Sequence, residues 1–151
     1  IKFIIGGWRM KVYLTADKEG QELKKILVTY LTDENYEVVD LTETPADDFV
    51  DSANLLVQKL KEDEEGLGIA VDAYGAGSFM AANKHKEIVV AEVSEEWSAH
   101  MTRRHNNARI ITLGSQIVGT ELAKSVAKAF VTADYDGGRH QIRVDMLNAM
   151  C

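Results

Sequence analysis

The sequence predicts an α/β fold: a single doubly wound, Rossmann-like three-layer domain built on a five-stranded parallel sheet. Three observations carry the prediction. Short apolar runs alternate along the chain with longer segments whose apolar residues recur at helical spacing. The strand-like runs are joined by helices, which demands a parallel sheet covered on both faces, and right-handed crossovers make it doubly wound. Finally, residues 67 to 84 read as an apolar run ending in Asp72, a turn carrying Gly75 and Gly77, and a small-residue helix. That is how a buried parallel strand delivers its carboxyl end to a loop that a ligand can approach closely.

Each element has its own signal. Lys11 to Thr15 is the first strand. Residues 21 to 33 place Leu23, Ile26, Leu27, Tyr30 and Leu31 on one helical face. Tyr36 to Asp40 is the second strand. Thr44, Pro45 and Asp47 read as cap, first-turn proline and returning acid, so the next helix is predicted from there to Glu62, burying Phe49, Ala53, Leu56, Val57 and Leu60. Glu62 to Gly66 is a solvated turn. Leu67 to Val71 is the third strand, Ile88 to Val93 the fourth and Arg109 to Leu113 the fifth. Between the last two, Ser94 with Glu95 and Glu96 caps a helix reaching about His105. Gly119 to Val131 and His140 to Met150 complete the helices, separated by the turn Asp136-Gly137-Gly138. Trp97 and Tyr30 are expected to pack.

Composition narrows the function classes. The 151 residues are 46% apolar and 27% charged, ordinary for one globular domain. No apolar stretch reaches the roughly 18 residues of a membrane span. The formal charge of −7 disfavours nucleic acid, whose backbone requires a basic face. The single cysteine, Cys151, excludes an internal disulfide and suits a reducing, cytoplasmic setting. Residues 1–9 read as a leader or tag-like extension, with the domain proper at 10–151.

Arginine is distributed unevenly: Arg103, Arg104, Arg109, Arg139 and Arg143 all follow residue 100, and the earlier part of the chain uses lysine almost throughout. A guanidinium fork suits a phosphate, so the cluster points to a small anionic ligand, although drift in surface composition produces the same pattern. Ligands of such sheets bind beyond the carboxyl ends of the strands. The expected site therefore gathers Asp17 to Gly20, Asp72 to Ser78, Gly114-Ser115 and the Arg103-Arg104-His105-Asn106-Asn107 segment. Plainer roles compete. His105 suits a helix C-cap, Asp17 a turn or helix cap, and His85, His100 and His140 surface or helix-end positions.

Four segments in order resemble the ribose-5-phosphate isomerase B and galactose-6-phosphate isomerase family. They are Asp17-Lys18-Glu19-Gly20; Asp72-Ala73-Tyr74-Gly75-Ala76-Gly77 followed by Ala81-Ala82-Asn83-Lys84; His105-Asn106-Asn107-Ala108-Arg109; and Tyr135-Asp136-Gly137-Gly138-Arg139-His140-Gln141-Ile142-Arg143-Val144. The match covers nearly all of residues 10 to 151. The resemblance implies an aldose–ketose isomerase of sugar phosphates that works by ring opening and an enediolate, with no cofactor and no metal. The form of the second segment is similar to the galactose branch, which converts D-galactose 6-phosphate to D-tagatose 6-phosphate. By resemblance His105 serves ring opening, Asn106 donates to a sugar or enediolate oxygen, Arg139 and Arg143 grip the phosphate from one helix face, and Asp17 contacts substrate.

The departures from the family pattern bear on mechanism. The loop cysteine that serves the family as base is Asp72 here, its threonine is Tyr74, and the histidine after the first strand is Lys18. Two resolutions stand. Asp72 is the base, which requires burial to lift a carboxylate from its reference pKa of ~3.9. Alternatively, a homologous cysteine-bearing partner subunit completes the site, since the family's sites lie between subunits. Outside catalysis, the chain reads as a sugar-phosphate-binding regulatory subunit, or more remotely as a phosphoacceptor receiver module with Asp72 at its strand tip.

Overall fold

The computed structural model describes residues 10–150, so the leader expected at 1–9 and Cys151 lie outside the described residues. Five parallel strands form one sheet in the order β2-β1-β3-β5-β4. They are β1 (Lys11–Ala16), β2 (Glu37–Asp40), β3 (Leu67–Asp72), β4 (Val90–Glu92) and β5 (Ile110–Gly114). The helices are α1 (Gln21–Asp33), α2 (Phe49–Glu62), α3 (Ala76–Ala82), α4 (Glu96–Asn106), α5 (Thr120–Thr132) and α6 (Gln141–Ala149), with a 3-10 turn at Gly138–His140. The predicted doubly wound three-layer architecture is what the chain adopts.

Alternation along the strands divides the core in two. Val12, Leu14 and Ala16 of β1 face a cluster with Leu27 of α1, Ala99 of α4 and Phe130 of α5. Tyr13 faces the opposite cluster with Ala53, Leu56, Val57 and Leu60 of α2 and Ala82 of α3. The central strand β3 is buried along its whole length, as a parallel strand covered on both faces must be.

Several predicted boundaries move for tertiary reasons. The helix expected from Thr44 begins at Phe49, capped by the Asp48 carboxylate, which accepts the Asp51 N–H at 2.8 Å. Pro45 and Ala46 are held elsewhere: Ala46 donates to the Ala16 carbonyl at 3.0 Å and forms a bridge with Asp17. Phe49 is exposed rather than buried and lies over Gly77, where a Cβ would meet its ring at 2.9 Å. Glu95, not Ser94, caps α4, accepting from Trp97 and Ser98 N–H. Trp97 is exposed beside His100 rather than packed. The terminal helix starts at Gln141, because Gly137 and Gly138 take positive φ and the 3-10 turn intervenes.

The turn at 63–66 is more than a solvated link. The Arg109 guanidinium donates to the carbonyls of Leu60, Asp63 and Gly66, and the Asp63 carboxylate accepts the Tyr13 phenol at 2.7 Å. At the edge strand β4, the Asn83 side chain accepts the Val90 N–H and donates to the Val90 carbonyl, so it occupies backbone groups that an edge strand otherwise leaves open. An ion pair with a fully buried lysine and a partly buried aspartate ties α1 to the end of β2: the Lys24 ammonium reaches both Asp40 oxygens at 2.8 Å and the Thr42 carbonyl at 2.6 Å.

Candidate functional site

Strand order reverses between β1 and β3, and the loops leaving their carboxyl ends carry Asp17 and Asp72. The packing there leaves little room. A Cβ on Gly20 would stand 2.0 Å from the Val71 carbonyl oxygen, and one on Gly114 2.5 Å from the Tyr74 carbonyl carbon. Gly75 supplies the positive φ of 78° that turns the chain into α3. Cross-strand bonds brace the loop: Ser115 and Gln116 N–H reach the Asp72 and Ala73 carbonyls, and the Thr112 hydroxyl reaches the Gly75 carbonyl at 2.7 Å.

Asp72 is buried, and both of its oxygens are engaged by one residue. Ser78 donates its N–H to Oδ2 at 3.2 Å and its hydroxyl to Oδ1 at 2.9 Å. The carboxylate thus serves the first turn of α3 much as a cap does. Asp17 is half-buried and accepts the Gly20 N–H at 3.1 Å. Burial pushes its carboxyl above the ordinary value, against the Gly20 bond and with help from the Asp72 charge. Tyr74 stands 62% exposed in the loop after β3, and Lys18 is exposed in the turn after β1.

A second cluster forms at the other end of the sheet. Helix α4 runs back from the carboxyl end of β4, so its last turn, Arg103 to Asn106, arrives at the amino edge. Asn107 ends the helix in the left-handed region, and its Oδ1 accepts from Arg103 at 2.6 Å. Burial and the neighbouring Arg109 charge hold the Arg103 guanidinium below its usual pKa. Asp136, after α5, donates its N–H to the Arg104 carbonyl and takes the Arg104 guanidinium on its carboxylate at 3.1 and 2.9 Å. The Gly137-Gly138 turn then brings His140 onto His105, with ring centroids 3.9 Å apart and planes 12° from parallel. His105 Nε2 stands 3.7 Å from Asp136 Oδ2. The Arg104 bond keeps the Asp136 carboxyl low, while burial, His105 and Arg139 hold the His140 imidazole below its ordinary value.

Arg139 and Arg143 are exposed at this same end. They do not share one helix as expected: Arg139 lies in the 3-10 turn and Arg143 in the first turn of α6. Asn106 is exposed and lines a groove of about 540 Å³ with Phe79, Asn83, Thr102 and Leu147.

The expected site is therefore divided. His105, Asn106, Arg139 and Arg143 gather at the amino edge, whereas Asp17, Asp72 and the glycine loop sit at the carboxyl edge. One copy of the chain does not bring the two sets together. Sequence reasoning placed Arg104 beside His105 but missed Asp136 and His140 as members of the histidine cluster. The adjacent glycines at 137 and 138, with arginine and histidine behind them, were the available signal.

The fold agrees with what comparison finds. Residues 12–147 match the model of the Ribose/Galactose Isomerase family. The chain belongs to the ribose/galactose isomerase family. Membership makes it an aldose–ketose isomerase. Among its family relatives, galactose-6-phosphate isomerase subunit LacA of Streptococcus mutans is 58% identical over 142 residues, 94% of this chain and 100% of the relative. The subunit of the same name from Staphylococcus haemolyticus is 56% identical over the same shares. Among solved structures, ribose 5-phosphate isomerase RpiB of Thermotoga maritima superposes with a TM-score of 0.88 at 31% identity, covering 93% of this chain and 99% of that one. Ribose-5-phosphate isomerase B of Mycoplasma genitalium, solved with bound ribulose-5-phosphate, gives 0.87 at 34% identity, covering 92% and 94%. In this ribose/galactose isomerase the carboxyl-edge loop bonds Asp72 into α3. Among the described residues, no helix is long and apolar enough to cross a membrane.

Proposed function

We propose that this chain is one subunit of a cytoplasmic galactose-6-phosphate isomerase, interconverting D-galactose 6-phosphate and D-tagatose 6-phosphate, and that a cysteine of a homologous partner subunit is the base. The observation that carries the proposal is the division of the site. The chain offers a histidine, an amide and two arginines at one edge, and at the other a carboxylate already engaged by Ser78.

The reaction divides accordingly. His105 shuttles the proton between the anomeric hydroxyl and the ring oxygen, opening the cyclic sugar to the aldehyde. The partner's thiolate takes the proton from C2, and charge develops on the carbonyl oxygen. Asn106 donates an N–H to that enediolate oxygen, where a preorganised donor acts most strongly. Return of the proton to C1, with proton transfer between the two oxygens, completes the ketose. Arg139 and Arg143 hold the 6-phosphate, and Asp136 with its Arg104 clasp orients the His105 ring. Asp17 stays with Asp72 at the opposite edge and takes no part in this set.

Substitution in the assembled enzyme tests the assignment. His105→Ala should cut turnover on cyclic sugar phosphate by ~10²-fold or more, with a smaller loss of binding. Arg139→Ala and Arg143→Ala should each raise the Michaelis constant roughly 10- to 150-fold, the worth of one charge-assisted contact. Near-normal turnover by folded His105→Ala would remove His105 from the mechanism. Equal loss of affinity for neutral sugar and sugar phosphate would remove the arginines.

A further inference from the structure

We propose that His105, His140 and Asp136 form a binding site for a divalent transition-metal ion of the zinc class. Three separately held pieces of chain supply the donors: the last turn of α4, the segment after α5 and the 3-10 turn. One ligand atom from each lies within 4.8 Å of the other two. His105 Nε2 and Asp136 Oδ2 are already 3.7 Å apart. Bonds of ~2.0–2.1 Å at tetrahedral angles place neighbouring donors about 3.3 Å apart, so a small contraction closes this edge of the site. Two imidazoles and a carboxylate are a donor set that zinc, cobalt and nickel accept.

The surroundings favour and limit the site in identifiable ways. Arg104 grips the Asp136 carboxylate through both Nε and a terminal nitrogen, fixing its orientation while each oxygen keeps a further lone pair. The stacked rings are nearly parallel, so they must splay by side-chain rotation before both lone pairs reach one ion. Both rings are partly exposed, which leaves room for that rotation. The positive charges of Arg104, Arg139 and Arg143 lower affinity for a cation, so binding should fall short of that of a structural zinc site. Because His105 also belongs to the proposed sugar-phosphate site, the ion and the substrate should exclude each other. That last consequence rests on the proposed function, whereas the metal site itself does not.

The test is calorimetric titration of the purified full-length chain with Zn²⁺ alone, with Co²⁺ absorption as a coordination probe. One equivalent should bind, and His105→Ala, His140→Ala and Asp136→Asn should each weaken it by at least ~10- to 100-fold. His85→Ala, His100→Ala and Cys151→Ser should leave it unchanged, and thermal melts check that each variant is folded. Absence of a one-equivalent site, or binding unaffected by the three substitutions, overturns the proposal. In the assembled enzyme, Zn²⁺ should inhibit competitively with sugar phosphate and the chelator EDTA should reverse it. One-equivalent binding that depends on the three residues but leaves turnover untouched would uphold the metal site and overturn the placement of His105 in catalysis.

Discussion

Lys24 provides a quantitative test of how the carboxyl edge is held. Its side chain is fully buried, and its ammonium donates to both Asp40 oxygens and to the Thr42 carbonyl. Thr42 in turn accepts the Ala16 N–H on its hydroxyl at 2.9 Å, and Ala46 binds the Ala16 carbonyl. One ion pair thus fixes residues 40–46 against the end of β1 and the Asp17 turn. Lys24→Met keeps most of the apolar stem but leaves the Asp40 carboxylate, among the described residues, with only the Thr42 N–H, at 3.0 Å. Removing one member of a buried pair costs ~3–5 kcal/mol. Asp40 is 19% exposed, so water offsets part of this and the lower end, about 3 kcal/mol, applies. At ~2–4 °C per kcal/mol for a domain of this size, Tm should fall by roughly 6–12 °C. Lys24→Met with Asp40→Leu removes both charges and should recover stability to within ~1 kcal/mol of the parent. Urea unfolding measures the cycle, and hydrogen exchange at the Ala16 and Ala46 amides reports the local effect. A single variant within ~1 kcal/mol of the parent, or unaltered exchange at those amides, would refute the reasoning.

Two further substitutions probe the frame. Burial and the bond to Asp63 push the Tyr13 phenol up to about 12. A raised folded value means the neutral phenol is favoured in the native state, so its contribution is complete below the unfolded value of ~10 and is lost as pH rises through about 12. Tyr13→Phe should flatten the decline of Tm across that window, and an unchanged decline would contradict the assignment. Gly114→Ala would place a Cβ 2.5 Å from the Tyr74 backbone, which no side-chain rotation relieves. A loss of ~1–3 kcal/mol or more is expected, and a variant that melts like the parent would show the loop is loosely seated.

Much of this was legible in the sequence. The strand tip, the glycine turn and α3 follow from residues 67 to 84, because a buried strand and a helix with distinct periods abut there. What escaped was set through space. Thr44 and Asp48 both offer a cap, and only the pairing of Ala46 with the end of β1 decides between them. Arg104 and Asp136 meet across 32 residues, which no local pattern encodes. The division of the site has a topological cause. In a parallel sheet a helix returns to the amino edge before the next strand begins, so His105 lies far from the carboxyl edge despite its closeness in sequence to β5.

Reconstitution tests the central claim most directly. This chain, purified alone, should show little or no isomerisation of D-galactose 6-phosphate, and activity should appear on co-expression with a homologous subunit carrying Cys-Gly-Thr-Gly. Changing that cysteine to serine in the partner should abolish it. Robust turnover by the single chain, proportional to its concentration and abolished by Asp72→Asn, would contradict the account and make Asp72 the base.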